Sequence, residues 1–191
     1  EITLPHFGKA EILHKKSASA HDVVTALDNE VETFLQTELK KIYPDVEFAG
    51  EEFGGSREGK KFWLVDPIDG TSLFLRGIPF CSTMLALIED GQVVFSAIYD
   101  FVNDIMYHAE KGKGAYKNGE RIHVSERSAE EAYIGWETHL SNQENLKIFV
   151  KLRDVASMYK SMCSGYEYAL VAEGKLEARV TFDPWGKDYD F

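Results

Sequence analysis

Two runs rich in β-forming residues, Ser82 to Glu89 and Gln92 to Asp100, meet at Asp90-Gly91. Asp-Gly supplies the positive φ angles that a two-residue hairpin turn needs, so the pair predicts a β-hairpin. Strand-like segments continue on both sides: Phe62 to Val65 before it, Ile105 to Ala109 and Gly114 to Tyr116 after it. Asn118-Gly119 marks another tight turn. Residues 62 to 124 therefore read as a mostly antiparallel sheet.

Helical patterns flank that sheet. Between residues 23 and 42, Val24, Leu27, Val31, Phe34, Leu35, Leu39 and Ile42 recur at helical spacing. Thr25-Ala26-Leu27-Asp28 reads as a capping box at the start, and Tyr43-Pro44 as the stop. Residues 143 to 156 and Tyr166 to Ala172 read as helices, the second stopped by Gly174, and Leu176 to Phe182 alternates like a strand. This order predicts a layered α/β (α+β) fold with mixed, mostly antiparallel sheets. It divides into residues 1–125, a helix-plus-sheet part, and residues 126–191, a smaller α/β part. Neither GxGxxG nor GxxxxGK[ST] occurs, so dinucleotide and P-loop chemistry have no support.

Composition narrows the classes. The 191 residues are 44% hydrophobic and 13% aromatic, enough for a sizeable core. There are 21 basic and 32 acidic side chains, a net charge of −11, with no long basic run. Such a surface repels nucleic-acid phosphates and anionic lipid. No apolar run approaches the roughly 18 residues of a membrane span. Cys81 and Cys163 form no CxxC and predict reduced thiols in a cytoplasmic protein. The six histidines lack HxH and HxxxH spacing, and no serine sits in a GxSxG elbow, so zinc and Ser-His-Asp chemistry are not expected. Gly112 to Gly119 reads as two hairpin turns rather than a phosphate cradle.

Four acidic segments remain. In Trp63-Leu64-Val65-Asp66-Pro67-Ile68-Asp69-Gly70-Thr71 a short apolar strand ends in two carboxylates three residues apart. Two such charges about 4 Å apart repel by roughly 4 kcal/mol at an effective dielectric near 20, unless a cation lies between them. Hard oxygen donors of this kind suit Mg²⁺. A solvated turn would use the same residues. Gly50-Glu51-Glu52-Phe53-Gly54-Gly55 is either a second acidic ligand segment or an exposed charged loop. Asp28 opens the long helix, where a cap or a helix-dipole role accounts for it equally. Asp183-Pro184-Trp185-Gly186-Lys187-Asp188-Tyr189-Asp190-Phe191 reads by itself as a tail.

Taken together, these segments resemble the inositol monophosphatase family of metal-dependent, lithium-sensitive sugar and inositol phosphatases, over nearly the whole chain. Val24-Thr25-Ala26-Leu27-Asp28 is similar to the family's VTxxD segment and Gly50-Glu51-Glu52 to its GEE segment. Trp63 through Thr71, with Gly77, Pro79 and Phe80, is similar to WxxDPIDGTxxFxxGxPxF. Asp190-Phe191 resembles the start of a D-x-A-A-G element, with Asp188 as a rival for its ligand position. There are departures. Leu73 precedes Phe74 where the family has Asn, Tyr189 precedes Asp190 where it has Trp, and Met162-Cys163-Ser164-Gly165 replaces Gly-Ser/Thr-Ala-Ala. The family continues past the equivalent of Phe191, and its opening helix is longer. The resemblance therefore predicts a fragment of a longer chain.

The resemblance implies a phosphomonoesterase of inositol-monophosphatase-like fold acting on a small polyol phosphate, inositol monophosphate foremost. Histidinol-phosphate, fructose-bisphosphate and adenosine-bisphosphate phosphatases of the same family are alternatives, as is a metal- or phosphate-binding protein without turnover. It implies two or three Mg²⁺ ions held by Glu51, Asp66, the Ile68 carbonyl, Asp69 and Asp190. Glu51 and Thr71 would orient the attacking water, with Asp28 holding Thr71. Gly70 and Thr71 would open a short helix that receives the phosphate, and Ser164 and Asp183 would face the rest of the substrate. A homodimer is implied in the same way.

Overall fold

The computed structural model describes residues 2–15, 23–138 and 142–181. Asp183, Asp188 and Asp190 lie outside the described residues. After a 3-10 turn at Leu4–His6, β1 (Ile12–Lys15) pairs antiparallel with β2 (Val23–Thr25), which runs directly into α1 (Ala26–Ile42). The opening segment is thus a single turn and a strand among the described residues, and the long helix starts at Ala26 rather than at residue 23. The predicted capping box forms: Thr25 accepts from the N–H of Leu27, and Asp28 Oδ2 accepts from the Thr25 N–H at 2.7 Å.

The main sheet has seven strands in sequential order: β3 (Glu47–Gly50), β4 (Lys61–Asp69), β5 (Ser82–Glu89), β6 (Gln92–Asp100), β7 (Ile105–Glu110), β8 (Gly114–Lys117) and β9 (Glu120–Ile122). Only the β3–β4 pair is parallel; the rest is an antiparallel meander. The two tight turns fall where their dipeptides predict. Glu89 pairs with Gln92 across Asp90 (φ 48°), and Lys117 pairs with Glu120 across Asn118 (φ 49°).

β4 extends four residues beyond the apolar run that marks it in the sequence, and every residue from Phe62 to Asp69 is buried. Proline has no N–H for a sheet ladder, so Pro67 inside a central strand needs an interruption. The register against β5 shifts between Asp66 and Asp69, which places Pro67 and Ile68 in that irregularity. The Pro67 carbonyl is satisfied by the Thr83 hydroxyl at 2.8 Å. A five-residue helix, α2 (Thr71–Leu75), follows immediately.

A second sheet comes from the C-terminal part: β10 (Tyr133–Trp136) lies between β11 (Ser157–Lys160) and β12 (Ala178–Val180), both parallel to it. α3 (Gln143–Arg153) links β10 to β11, and α4 (Ser164–Ala172) links β11 to β12. α3 stops three residues before its expected end and α4 begins two earlier than expected. β10 and β11 have four residues each, too few for a periodicity signal, while β12 falls inside the alternating run that starts at Leu176.

Three apolar clusters hold these layers. Leu27, Ile68, Phe74, Cys81 and Phe101 fix α1 and α2 against β4–β6. Ala49, Phe62, Leu64, Ala86 and Ile88 fill the other end of the main sheet, and Ala132, Ile134 and Ala156 the small sheet. Fully burying a side chain such as Phe74 or Leu64 is worth roughly 1.5–3 kcal/mol. Ile68 belongs to the first cluster, which anchors the Asp66–Thr71 segment in the core.

Glu173, just after α4, ties the parts together. It accepts from the Tyr107 hydroxyl at 2.9 Å and from Lys117 Nζ at 2.7 Å, and pairs with Lys175 at 2.9 Å. Burial works to raise its carboxyl, but hydrogen bonds from Lys117, Lys175 and Tyr107 outweigh that and hold it below the ordinary 4.5. A depressed folded-state value means the stabilisation is present above the unfolded-state pKa and disappears as pH falls through the folded one. Glu173→Gln is expected to lower the melting temperature at pH 7 by about 2–12 °C. In melts taken from pH 7 to pH 3, the gap to the parent should begin to narrow below about pH 4.5.

Candidate active site

The site is built on the transition from β4 into α2. Asp66 and Asp69 end the strand with 6% and 9% of their surface exposed, on either side of the register shift. The Ile68 carbonyl between them accepts from the Thr71 hydroxyl at 2.8 Å. Gly70 then turns the chain with φ 81° and caps α2. A Cβ there would also lie 2.8 Å from the Phe80 carbonyl oxygen, so both the dihedral and the space call for glycine.

Thr71 is held from the opposite side by α1. Its hydroxyl lies 3.2 Å from Asp28 Oδ1. The other Asp28 oxygen accepts from the Thr25 N–H at 2.7 Å and the Thr25 hydroxyl at 2.6 Å. Asp28 is therefore both the capping-box partner of Thr25 and a contact of Thr71. The Thr71 hydroxyl has one proton and two lone pairs. Either acceptor, Ile68 O or Asp28 Oδ1, takes the proton, which leaves Thr71 as an acceptor toward the open side.

Asp69 is fixed from behind by α4. Cys163 occupies the N-cap position of that helix but makes no side-chain cap of its own. Asp69 supplies the cap instead: its Oδ2 accepts from the Gly165 N–H at 2.6 Å and from the Cys163 thiol at 2.8 Å. A carboxylate at a helix N-terminus is favoured by the unsatisfied N–H groups there. Burial, followed by the negative charge of Asp69, pushes the Cys163 thiol well above its ordinary range. Burial, followed by Asp100 and Asp69, pushes Cys81 up to about 12. Both thiols keep their protons, and Cys163 can donate.

Glu51 sits at the end of β3, half-buried, in a turn closed by the Gly50 N–H on the Gly54 carbonyl at 2.9 Å. The Glu51 N–H donates to the Val65 carbonyl at 3.1 Å, which brings the turn alongside Asp66. Ser164 is buried at the start of α4 and accepts from Arg179 Nη2 at 2.8 Å. It neighbours the Asp69 contacts, but the residues on Asp69 are Cys163 and Gly165. Glu51, Asp66, Ile68, Asp69, Gly70, Thr71 and Asp28 thus converge where β3 and β4 end. Glu32, which supports the Glu51 turn, and Cys163 join the site here without belonging to its sequence motifs. Glu32 falls four residues after Asp28, which places both on one face of α1.

Among the described residues, no three His, Cys, Asp or Glu side chains gather closely enough to make a metal cluster by themselves. Mg²⁺ does not need one: it commonly takes one or two carboxylates and completes its shell with water and phosphate oxygens. Two mostly buried carboxylates flanking a backbone carbonyl are a donor set of that kind. The raised thiols are open to a direct check. Iodoacetamide at pH 8 should leave Cys81 and Cys163 unmodified in the folded protein and modify both in guanidinium chloride, as mass spectrometry of the peptides would show. Rapid native labelling of Cys163 would contradict its burial against Asp69.

Comparison with known proteins identifies relatives over most of the chain. A Thermotoga maritima protein named fructose-1,6-bisphosphatase/inositol-1-monophosphatase is 38% identical over 135 residues, covering 70% of this chain and 52% of that protein. A Rhizobium meliloti inositol-1-monophosphatase is 34% identical over 179 residues, covering 90% of this chain and 67% of that protein. The chain thus spans about half to two thirds of the length of these relatives. Among solved structures, an IMPase/NADP phosphatase complexed with Mg²⁺ and phosphate superimposes with a TM-score of 0.77 at 26% identity, over 91% of this chain and 67% of that one. The sequence profile of the inositol monophosphatase family matches residues 1–191, and with the fold and its relatives in agreement, the chain belongs to that family.

Proposed function

We propose that the protein is a Mg²⁺-dependent phosphomonoesterase that hydrolyses a small polyol phosphate, inositol monophosphate foremost, by direct attack of water on phosphorus. The observation that carries this reading is the β4–α2 junction, where Asp66 and Asp69 flank the Ile68 carbonyl while Thr71 is held against Asp28. The solved relative that binds Mg²⁺ and phosphate supports it.

Glu51, Asp66, the Ile68 carbonyl and Asp69 would hold the ions, with Asp190 completing the set. When bound, Mg²⁺ lowers the pKa of a coordinated water and neutralises charge on the phosphoryl oxygens. The chain's own residues do the positioning. Thr71, its proton committed to Ile68 or Asp28, offers a lone pair to the attacking water and orients it. Glu51 accepts the proton that this water loses. The first-turn N–H groups of α2, from Gly70 and Thr71, face the phosphate, because the first N–H groups of a helix have no partner within it. One P–O bond forms to water and one breaks to the alcohol, with no covalent phosphoenzyme. Ser164 and Asp183 would contact the alcohol side of the substrate. The free thiols Cys81 and Cys163 support a reducing, cytoplasmic setting. The double name of the Thermotoga relative makes fructose 1,6-bisphosphate the leading alternative substrate.

Phosphate release should be measured from inositol 1-phosphate, histidinol phosphate, fructose 1,6-bisphosphate and adenosine 3′,5′-bisphosphate, with Mg²⁺, with EDTA, and with Mg²⁺ plus Li⁺. Release that needs Mg²⁺ and is inhibited by Li⁺ is expected, fastest from inositol 1-phosphate. Release that survives EDTA would sink the mechanism. Asp69→Asn removes one charge from the proposed ligand set and little volume. It should reduce turnover by about 10²-fold or more while circular dichroism stays that of the parent. Full turnover at saturating Mg²⁺ would remove Asp69 from the ligand set.

A further inference from the structure

Glu32 is a carboxylate with 0% of its surface exposed, in the second turn of α1. Burying a charge is costly unless hydrogen bonds replace the lost water. Here they come from the backbone of another segment: Oε2 accepts from the Glu52 N–H at 2.8 Å and Oε1 from the Phe53 N–H at 2.9 Å. Both donors immediately follow Glu51. On the other side of that residue, Gly50 lies flush against the same carboxylate. A Cβ on Gly50 would sit 2.0 Å from Glu32 Oε1 and 2.1 Å from its carboxyl carbon. The turn carrying Glu51 is thus clasped on both flanks by one side chain.

We propose that Glu32 is a positioning residue that sets the backbone of residues 50–53 and so aims the Glu51 carboxylate at the site. The inference rests on the proposed function for what Glu51 does, but not for the clamp itself. Three details point to positioning rather than packing. Both carboxylate oxygens are spent on consecutive amides of a turn, a pairing that fixes orientation as well as distance. The Glu51 N–H is separately tied to Val65, so the turn is pinned to α1 and β4 at once. Asp28, one helical turn earlier on the same face, holds Thr71 in the same manner. A single rigid helix would therefore place both groups that handle the attacking water.

The test is Glu32→Gln. The amide side chain keeps one acceptor oxygen but points an NH₂ at the second N–H. Hydrogen exchange should accelerate about tenfold or more at Glu52 or Phe53, while the central amides of α1 stay protected. The Mg²⁺ concentration for half-maximal binding, read by calorimetry, should rise about 10- to 100-fold, as for other groups that support metal ligands. Turnover at saturating Mg²⁺ should fall far less than that. Gly50→Ala presses on the clamp from the other side and should shift the Mg²⁺ midpoint likewise, so it carries the test if Glu32→Gln does not fold. Ile134→Val in the small sheet supplies the comparison, since it should lower the melting temperature and leave the midpoint unchanged. A midpoint within twofold of the parent in either clamp variant, or unchanged exchange at both amides in Glu32→Gln, overturns the proposal. A parent protein that binds Mg²⁺ but releases no phosphate overturns the function proposed above, while amide exchange and calorimetry still judge the clamp.

Discussion

Buried carboxylates that accept hydrogen bonds from other segments are the interaction on which this molecule's site depends. Asp28 and Glu32 reach from α1 to Thr71 and to the amides of Glu52 and Phe53, and Asp69 reaches from β4 to the thiol of Cys163 and the amide of Gly165. Each replaces its lost hydration with donors supplied by a different element. The sheet alone would leave the Glu51 turn and the start of α4 to find their own geometry. Linked through these three side chains, α1, β3, β4 and α4 hold one shared arrangement.

The direction of these links matters. α1 is seated at its N-terminal half, where Leu27 and Val31 are buried, while Phe34 and Ile42 farther along remain exposed. The apolar stripe that seats the helix is thus the one beside Asp28 and Glu32. Hydrophobic burial gives the contact its strength, and the two carboxylates give it its register. The small sheet is connected in the same fashion. Arg179 on β12 donates to Ser164 and to Tyr168, and pairs with Glu167 on α4, so the helix that Asp69 caps is braced by the strand that follows it.

Much of this is legible in the amino acids because local chemistry decides it. The dipeptides Asp90-Gly91 and Asn118-Gly119 fix their hairpins, and Thr25 with Asp28 fixes the start of α1. The carboxylate pair around Pro67 marks the end of a strand, and the family resemblance of that segment brought Glu51, Asp28 and Thr71 to it. What escaped reading is decided at a distance. Nothing local to Glu32 announces its role, which comes from two N–H donors on a turn twenty residues away. Cys163 reads as a core thiol, and only its place beside Asp69 makes it a donor. β10 and β11 are too short to carry a pattern and are defined by their parallel pairing, whereas β12 falls inside the alternating run that starts at Leu176.

The Cys163–Asp69 contact carries a consequence for how the site is balanced. A hydroxyl, which the family pattern has at this element, donates a hydrogen bond more strongly than a thiol does. Here the weaker donor is joined by the Gly165 amide, so Asp69 Oδ2 receives two donors at the N-terminus of α4. The same burial that raises the thiol keeps its proton in place, so the donor is never converted into a second negative charge beside the carboxylate. A thiolate in that position would repel Asp69 and compete with it for any hard cation. The helix N-terminus and the retained thiol proton therefore act together, each presenting a hydrogen-bond donor to the Asp69 carboxylate behind the β4–α2 junction.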